Sequence, residues 1–139
     1  MKVQYPEIQI ALDDVITAFH KMQKNRGHPV TQDHINKFKA FDWTQSQINP
    51  LEVINPYDNF RDIPLSRNGL TMKEVLEEVI QSKNVEVITI ISKPLVGAPP
   101  VIVFHRYDSK FQVDDGCGRL LAACKQDIKA IDAFIGRKK

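Results

Sequence analysis

The chain lacks several features that would assign it to a class of protein. It has only two cysteines in 139 residues, too few for a disulfide framework, so we expect a reduced protein. No apolar run approaches the roughly 18 residues that cross a bilayer, and the first residues lack the apolar core of a secretion signal. We therefore expect a cytoplasmic protein.

The sequence also lacks a large excess of either sign of charge. The 19 basic and 17 acidic residues leave a net charge of +2, which by itself does not indicate a nucleic-acid-binding protein. The positive excess lies at the end of the chain, where Arg137, Lys138 and Lys139 follow one another. The sequence leaves open whether they form a solvated terminus or contact phosphates.

The first 45 residues predict two helices. Apolar residues recur at three- and four-residue steps over residues 8–24, and Thr31 is a suitable N-cap for a second helix with Phe38 on its apolar stripe. We predict that residues 1–45 form a helical hairpin that extends a second domain, residues 46–139.

The rest of the chain predicts a small mixed sheet with flanking helices. Thr71 and Glu74 form a capping box that begins a helix over residues 72–82. Runs of β-branched and aromatic residues predict strands, and Tyr107 to Lys110 suit a hairpin loop between two of them. The predicted strands are residues 51–54, 85–91, 101–104, 111–113 and 130–135.

The segment with the most chemical information is Phe111 to Cys124. A strand ends, Asp114 and Asp115 follow, and a helix begins at Gly116-Cys117-Gly118-Arg119. Glycines at such a turn allow a ligand to approach the backbone, and the first turn of a helix favours an anion. Arg119 could add a bidentate phosphate contact. From spacing alone, a phosphate site and a tight turn with a surface arginine are equally acceptable interpretations.

The same residues resemble a family. Gly116 to Ala122 is similar to the GxxRxxA motif of the ParB/sulfiredoxin superfamily, and Asn55 to Arg61 resembles the PYxxNPR segment found upstream of it. The resemblance covers about residues 50–137. It implies an α+β fold of the ParB/sulfiredoxin type, in which the motif binds the phosphates of a nucleotide.

The resemblance also implies roles for individual residues. Gly116, Cys117, Gly118 and Arg119 would contact the phosphates of ATP or CTP, with Ala122 packed closely behind them. Asn59 and Arg61 would match the upstream polar pair near the same pocket. The implied functions are nucleotide hydrolysis or phosphoryl transfer, in some members linked to DNA. Phe60 stands where the upstream motif has proline, and Gly118 where sulfiredoxin has histidine.

Two alternatives stay open. Cys117 occupies the position of the catalytic cysteine of sulfiredoxin, an ATP-dependent reductase of cysteine sulfinic acid. A helix N-terminus and Arg119 would favour its thiolate, whereas the carboxylates of Asp114 and Asp115 would oppose it. The other alternative is a non-catalytic interaction module, of phage or mobile-element origin, that binds a protein partner.

A magnesium ion is a further expectation. Asp114 and Asp115 carry hard oxygen ligands beside the predicted phosphates, where they could hold Mg²⁺. The competing interpretation is that both residues belong only to the turn before the helix.

Overall fold

A computed structural model describes residues 5–25, 27 and 29–139. Residues 1–4, on which the expectation about a secretion signal partly depends, lie outside the described residues. The elements in chain order are β1 (Ile8–Gln9), α1 (Leu12–Asn25), α2 (Gln32–Lys39), β2 (Phe41–Ile48), a 3₁₀ turn (Pro50–Glu52), β3 (Val53–Asn55), β4 (Asn59–Phe60), β5 (Ile63–Pro64), β6 (Leu70–Thr71), α3 (Met72–Ser82), α4 (Val85–Ile91), β7 (Val101–His105), β8 (Phe111–Asp115), α5 (Cys117–Lys125) and β9 (Ile131–Lys138).

Seven of the strands form one mixed sheet in the order β1-β2-β9-β7-β8-β3-β6. β7 runs parallel to β9, and β3 runs parallel to β8, while the other neighbours are antiparallel. β4 and β5 form a separate two-stranded hairpin. The predicted mixed sheet with flanking helices is therefore present, and the described part of the chain is an α+β protein.

The two faces of the sheet have separate cores, because successive side chains of a strand point to opposite sides. Val101 and Val103 of β7 belong to the core that includes residues of α3, α4 and α5. Ile102 and Phe104 belong to the second core, which contains residues of α1 and α2. The sheet is thus the middle layer between two groups of helices.

The second N-terminal helix begins as predicted, whereas the first begins only at Leu12, because Ile8 and Gln9 form β1 and pair with β2. The Thr31 side chain accepts the first-turn N–H of His34, and α2 follows. The next residues form β2, which pairs with β9 along its whole length from Phe41 opposite Lys138 to Ile48 opposite Ile131. The predicted boundary after residue 45 consequently falls inside a strand of the central sheet.

The prediction of a strand over residues 85–91 is wrong, since these residues form α4. The side chain of Asn84 caps this helix by accepting the N–H of Val87 at 3.1 Å. Only Val87 and Ile91 of the helix are buried, and their four-residue spacing is that of one helical face. Packing on one side therefore outweighs the strand propensity of the β-branched residues.

The C-terminal residues belong to the sheet and do not form a solvated terminus. β9 includes Arg137 and Lys138, and the N–H of Lys139 donates to the carbonyl of Ala40. Arg137 forms an ion pair with Glu7 at 2.9 Å. The basic end of the chain is accordingly held against the sheet.

None of the described helices is long and apolar enough to cross a membrane.

Candidate phosphate site

The predicted glycine turn joins β8 to α5. β8 ends at Asp115, Gly116 has a φ of 109°, and α5 begins at Cys117. Gly116 cannot cap the helix with a side chain, whereas Thr31, Thr71 and Asn84 cap α2, α3 and α4. The N–H groups of the first turn of a helix have no carbonyl partner within the helix. The predicted strand, turn and helix are therefore present, and the N-terminus of α5 has no side-chain cap.

The upstream segment lies beside this turn. A Cβ atom added to Gly118 would be 4.0 Å from Cζ of Phe60, which is ordinary van der Waals contact. The positive charge of Arg61 acts on the thiol of Cys117. Burial, and then the negative charges of Asp114 and neighbouring groups, raise the pKa of Tyr57. The segment from Tyr57 to Arg61 thus lies next to the first turn of α5.

Asn59 and Arg61 occupy the β4–β5 hairpin. Asn59 is exposed and donates through Nδ2 to the Asp58 carboxylate at 3.2 Å. Arg61 and Asp62 form the two-residue turn, with φ values of 47° and 68°. Arg61 is exposed, and its guanidinium carbon lies 5.9 Å from the centre of the Phe60 ring.

Arg119 makes contacts that sequence reasoning did not predict. Its Nη2 atom pairs with Asp115 at 3.2 Å, and Nη1 donates to the carbonyls of Pro99 and Pro100. The guanidinium therefore ties α5 to the segment that leads into β7. It also lines a cavity of about 260 Å³ together with Leu95, Ala98 and Asp132.

Asp114 and Asp115 point to opposite sides of the sheet. Asp114 accepts a hydrogen bond from Lys37 of α2, on the face of the second core. Asp115 pairs with Arg119 on the other face. Within the described ranges, no cluster of three or more His, Cys, Asp or Glu side chains could hold a metal ion. The two carboxylates therefore do not fit a shared Mg²⁺ site.

Cys117 lies in the first turn of α5 as predicted, but its environment favours the neutral thiol. Burial raises the pKa of Cys117 to about 12, although the positive charge of Arg61 acts in the opposite direction. Burial likewise raises the pKa of Cys124 to about 12. Neither cysteine is in a disulfide. Because the thiolate is the nucleophile, this environment does not support a sulfiredoxin-like role for Cys117.

We expect both thiols to be unreactive in the native protein at pH 8. Alkylation with iodoacetamide should be at least ~100-fold slower than in urea, since the thiolate is the reactive form. The unfolded chain loses these protons near pH 9, whereas the folded chain holds them toward pH 12. The free energy of unfolding should therefore fall as the pH rises above about 9.

The Cys117→Ala variant provides the control for this pH dependence. This variant lacks one of the two thiols whose pKa is raised by folding. Its free energy of unfolding should therefore fall less between pH 9 and pH 11, as measured by urea titration. Native alkylation as fast as that of the unfolded chain would contradict the prediction.

No family model matches the chain, and searches of curated proteins and of solved structures find no match. The family resemblance stays a prediction.

One feature of the upstream segment was not singled out from the sequence. Asn55 is completely buried at the end of β3, and its Oδ1 accepts the N–H of Tyr57 at 3.1 Å. Its Nδ2 is buried with no hydrogen-bond partner in the part of the chain that the structure describes. Buried polar groups are nearly always satisfied, so this amide is an available donor at the start of the segment that leads to Arg61. A polar residue directly after the predicted strand over residues 51–54 is the signal that could have identified it.

Proposed function

We propose that this protein binds a nucleotide, ATP or CTP by the family resemblance, with a phosphate group at the first turn of α5 and Arg61 as its cation. The observation that carries the proposal is the convergence of two segments that are far apart in sequence. The β4–β5 hairpin packs against α5, because the ring of Phe60, the residue before Arg61, would lie 4.0 Å from a Cβ atom at Gly118. These are the two segments in which the sequence resembles nucleotide-binding proteins.

The first turn of α5 has the chemistry of an anion site. The backbone N–H groups of Cys117 and Gly118 lie in the first turn, where the helix dipole favours negative charge. Gly118 has no side chain between the backbone and the Phe60 ring. Residue 118 therefore adds no side chain that would cover these N–H groups.

The local charges do not oppose a phosphate strongly. The carboxylates of Asp114 and Asp115 are each paired with a cation, Lys37 and Arg119. Arg61 is exposed on the neighbouring β4–β5 hairpin. We assign Arg61 to the phosphate contact and Arg119 to positioning the turn.

The backbone of the β4–β5 turn supports a functional role for Arg61. Both turn residues have positive φ, a conformation that Gly, Asn and Asp adopt with less strain than Arg. Backbone strain of this kind is concentrated at functional sites. An arginine at a strained position is the residue we expect if its positive charge has a function.

Tyr57 is suited to the base of the nucleotide. It is half exposed, and it lies near Asp114 and Cys117. Aromatic rings of this kind stack on nucleobases.

Thermal unfolding with ATP, ADP, CTP and GTP, with and without Mg²⁺, tests the proposal. A ligand at 100 times its Kd should stabilise the folded protein by about 2.7 kcal/mol, which corresponds to several degrees in Tm. Arg61→Asn should lose most of this shift. Because Asn tolerates positive φ, the variant should be at least as stable as the wild type without ligand.

Two pairs of variants separate binding from folding. Asp62→Asn alters the same turn without adding strain and retains Arg61, so its nucleotide shift should be kept. Gly118→Asp introduces a negative charge that suits the helix dipole but repels a phosphate, whereas Gly118→Asn has nearly the same shape without the charge. The shift should be lost only in Gly118→Asp.

Absence of any shift at millimolar nucleotide in the wild type would overturn the proposal. It would leave the non-catalytic interaction module as the better interpretation. If a shift is found, release of inorganic phosphate from the same nucleotide would distinguish an enzyme from a binding protein.

A further inference from the structure

A second surface lies at the opposite end of β8 from the phosphate site. The hairpin between β7 and β8 ends in Tyr107, which is 97% exposed. The strand register places Phe104 beside Gly136 and Phe41 beside Lys138. The tip of the hairpin and the basic end of β9 therefore occur at the same end of the sheet.

These elements enclose a groove of about 570 Å³, lined by Phe41, His105, Arg106, Tyr107, Gln112 and Lys138 among others. We call this the hairpin groove. Its lining has two aromatic side chains, a histidine, a side-chain amide and three cations, Arg106, Arg137 and Lys138. Rings and hydrogen-bonding groups between positive charges are the features that recognise the bases and phosphates of a nucleic-acid strand.

Positive charge is concentrated around the hairpin groove. The groove is lined by three cations, and no carboxylate is among its lining residues in the described part of the chain. Arg137 is paired with Glu7, and Arg106 with Asp108. Lys138 supplies a cation to the groove in addition to these two ion pairs.

The hairpin presents Tyr107 on an ordered backbone. The N–H of Arg106 donates to the carbonyl of Lys110 at 2.7 Å, and the N–H of Ser109 donates to the carbonyl of Arg106 at 3.0 Å. The N–H of Lys110 also donates to the Asp108 carboxylate at 3.2 Å. Because the backbone of the hairpin is already ordered, only the side chain of Tyr107 loses conformational entropy when a base stacks on it.

We propose that the hairpin groove binds a single-stranded nucleic acid, with a base stacked on Tyr107 and the backbone phosphates near Arg106 and Lys138. A single strand fits better than a duplex because its bases are free to stack on an exposed ring. The groove also fits a strand better than a lipid surface, since its exposed tip has one aromatic residue rather than an apolar cluster.

Fluorescence anisotropy with labelled twelve-nucleotide strands, oligo-dT and oligo-U, tests this proposal. Both strands should bind at 50 mM salt, and their relative affinity shows whether DNA or RNA is preferred. Tyr107→Ala should weaken binding by on the order of tenfold, whereas Tyr107→Phe should retain it because the ring is kept. Lys138→Ala should lower the slope of log affinity against log salt by about 0.7.

Matched variants elsewhere keep this test independent of folding and of the nucleotide site. Lys125→Ala removes an exposed lysine at the other end of α5 and should leave the salt slope unchanged. Arg61→Asn should also leave strand binding unchanged, and Tyr107→Ala should retain the nucleotide-dependent shift in Tm. The two proposals can therefore fail separately.

Three results would overturn the inference. They are no binding of either strand at 50 mM salt, equal affinities for Tyr107→Ala and Tyr107→Phe, or binding of a duplex or of phosphatidylserine vesicles as tight as that of the strands.

Discussion

Replacing Gly116 by alanine is expected to lower the free energy of unfolding by about 3–5 kcal/mol. A Cβ atom at this position would lie 2.6 Å from Cγ1 of Val101 and 2.9 Å from Nη2 of Arg119. The φ of 109° is also strained for any residue with a side chain, at about 1–3 kcal/mol. Overpacking against β7 adds about 1–3 kcal/mol. Urea unfolding measures the loss.

Gly118→Ala is the matched control, since it adds the same atom two residues later. Its Cβ would meet only Phe60 at 4.0 Å, and alanine favours a helix by up to about 1 kcal/mol over glycine. This variant should be as stable as the wild type or more so. Shortening Val101 to alanine in the Gly116→Ala background should make the two losses less than additive. A loss under about 1 kcal/mol for Gly116→Ala would contradict the packing argument.

Replacing Arg119 by alanine is expected to cost about 3–5 kcal/mol. The side chain of Asp115 is 5% exposed and that of Arg119 is 12% exposed, so the variant takes a cation away from a buried carboxylate. It also removes the donors to the carbonyls of Pro99 and Pro100. Urea or thermal unfolding would measure the effect. Any loss of nucleotide binding in this variant would be indirect, which is why the binding test uses Arg61.

Two variants separate this effect from that of an ordinary ion pair. Arg137→Ala breaks the pair with Glu7, whose side chains are 39% and 36% exposed, and should cost less than about 1 kcal/mol. Arg119→Ala combined with Asp115→Asn should be more stable than Arg119→Ala alone, because it removes the buried charge. Equal losses for Arg119→Ala and Arg137→Ala would show that burial of the pair has no effect.

Local signals in the sequence identified α1, α2, α3 and α5 and the strands β3, β7, β8 and β9, but not α4 or the strands β1, β2, β4, β5 and β6. Thr31 and Thr71 accept the N–H groups that a capping residue should accept. The hairpin loop after β7 and the helix after Gly116 are also where turn and periodicity patterns place them. Each of these features depends on residues within four positions of one another, which is why the sequence is sufficient to predict them.

Features that depend on distant residues were not predictable in this way. Val85 to Ile91 have the composition of a strand, but burial of Val87 and Ile91 against other helices selects a helix. The partners of Asp114 and Asp115 are far less evident from the sequence, because neighbouring residues of a strand face different layers. The direction of the Arg119 side chain depends on carbonyls 19 and 20 residues away.

The same distinction between local and tertiary information applies to the two candidate sites. The glycine turn, the arginines and the basic end of the chain can be read from the printed sequence, since they are properties of short segments. That the β4–β5 hairpin packs against the first turn of α5, and that Tyr107 and Lys138 line one groove, results from the tertiary structure. Strand order is determined by the burial of two apolar faces over the whole sheet, and no short segment contains that information.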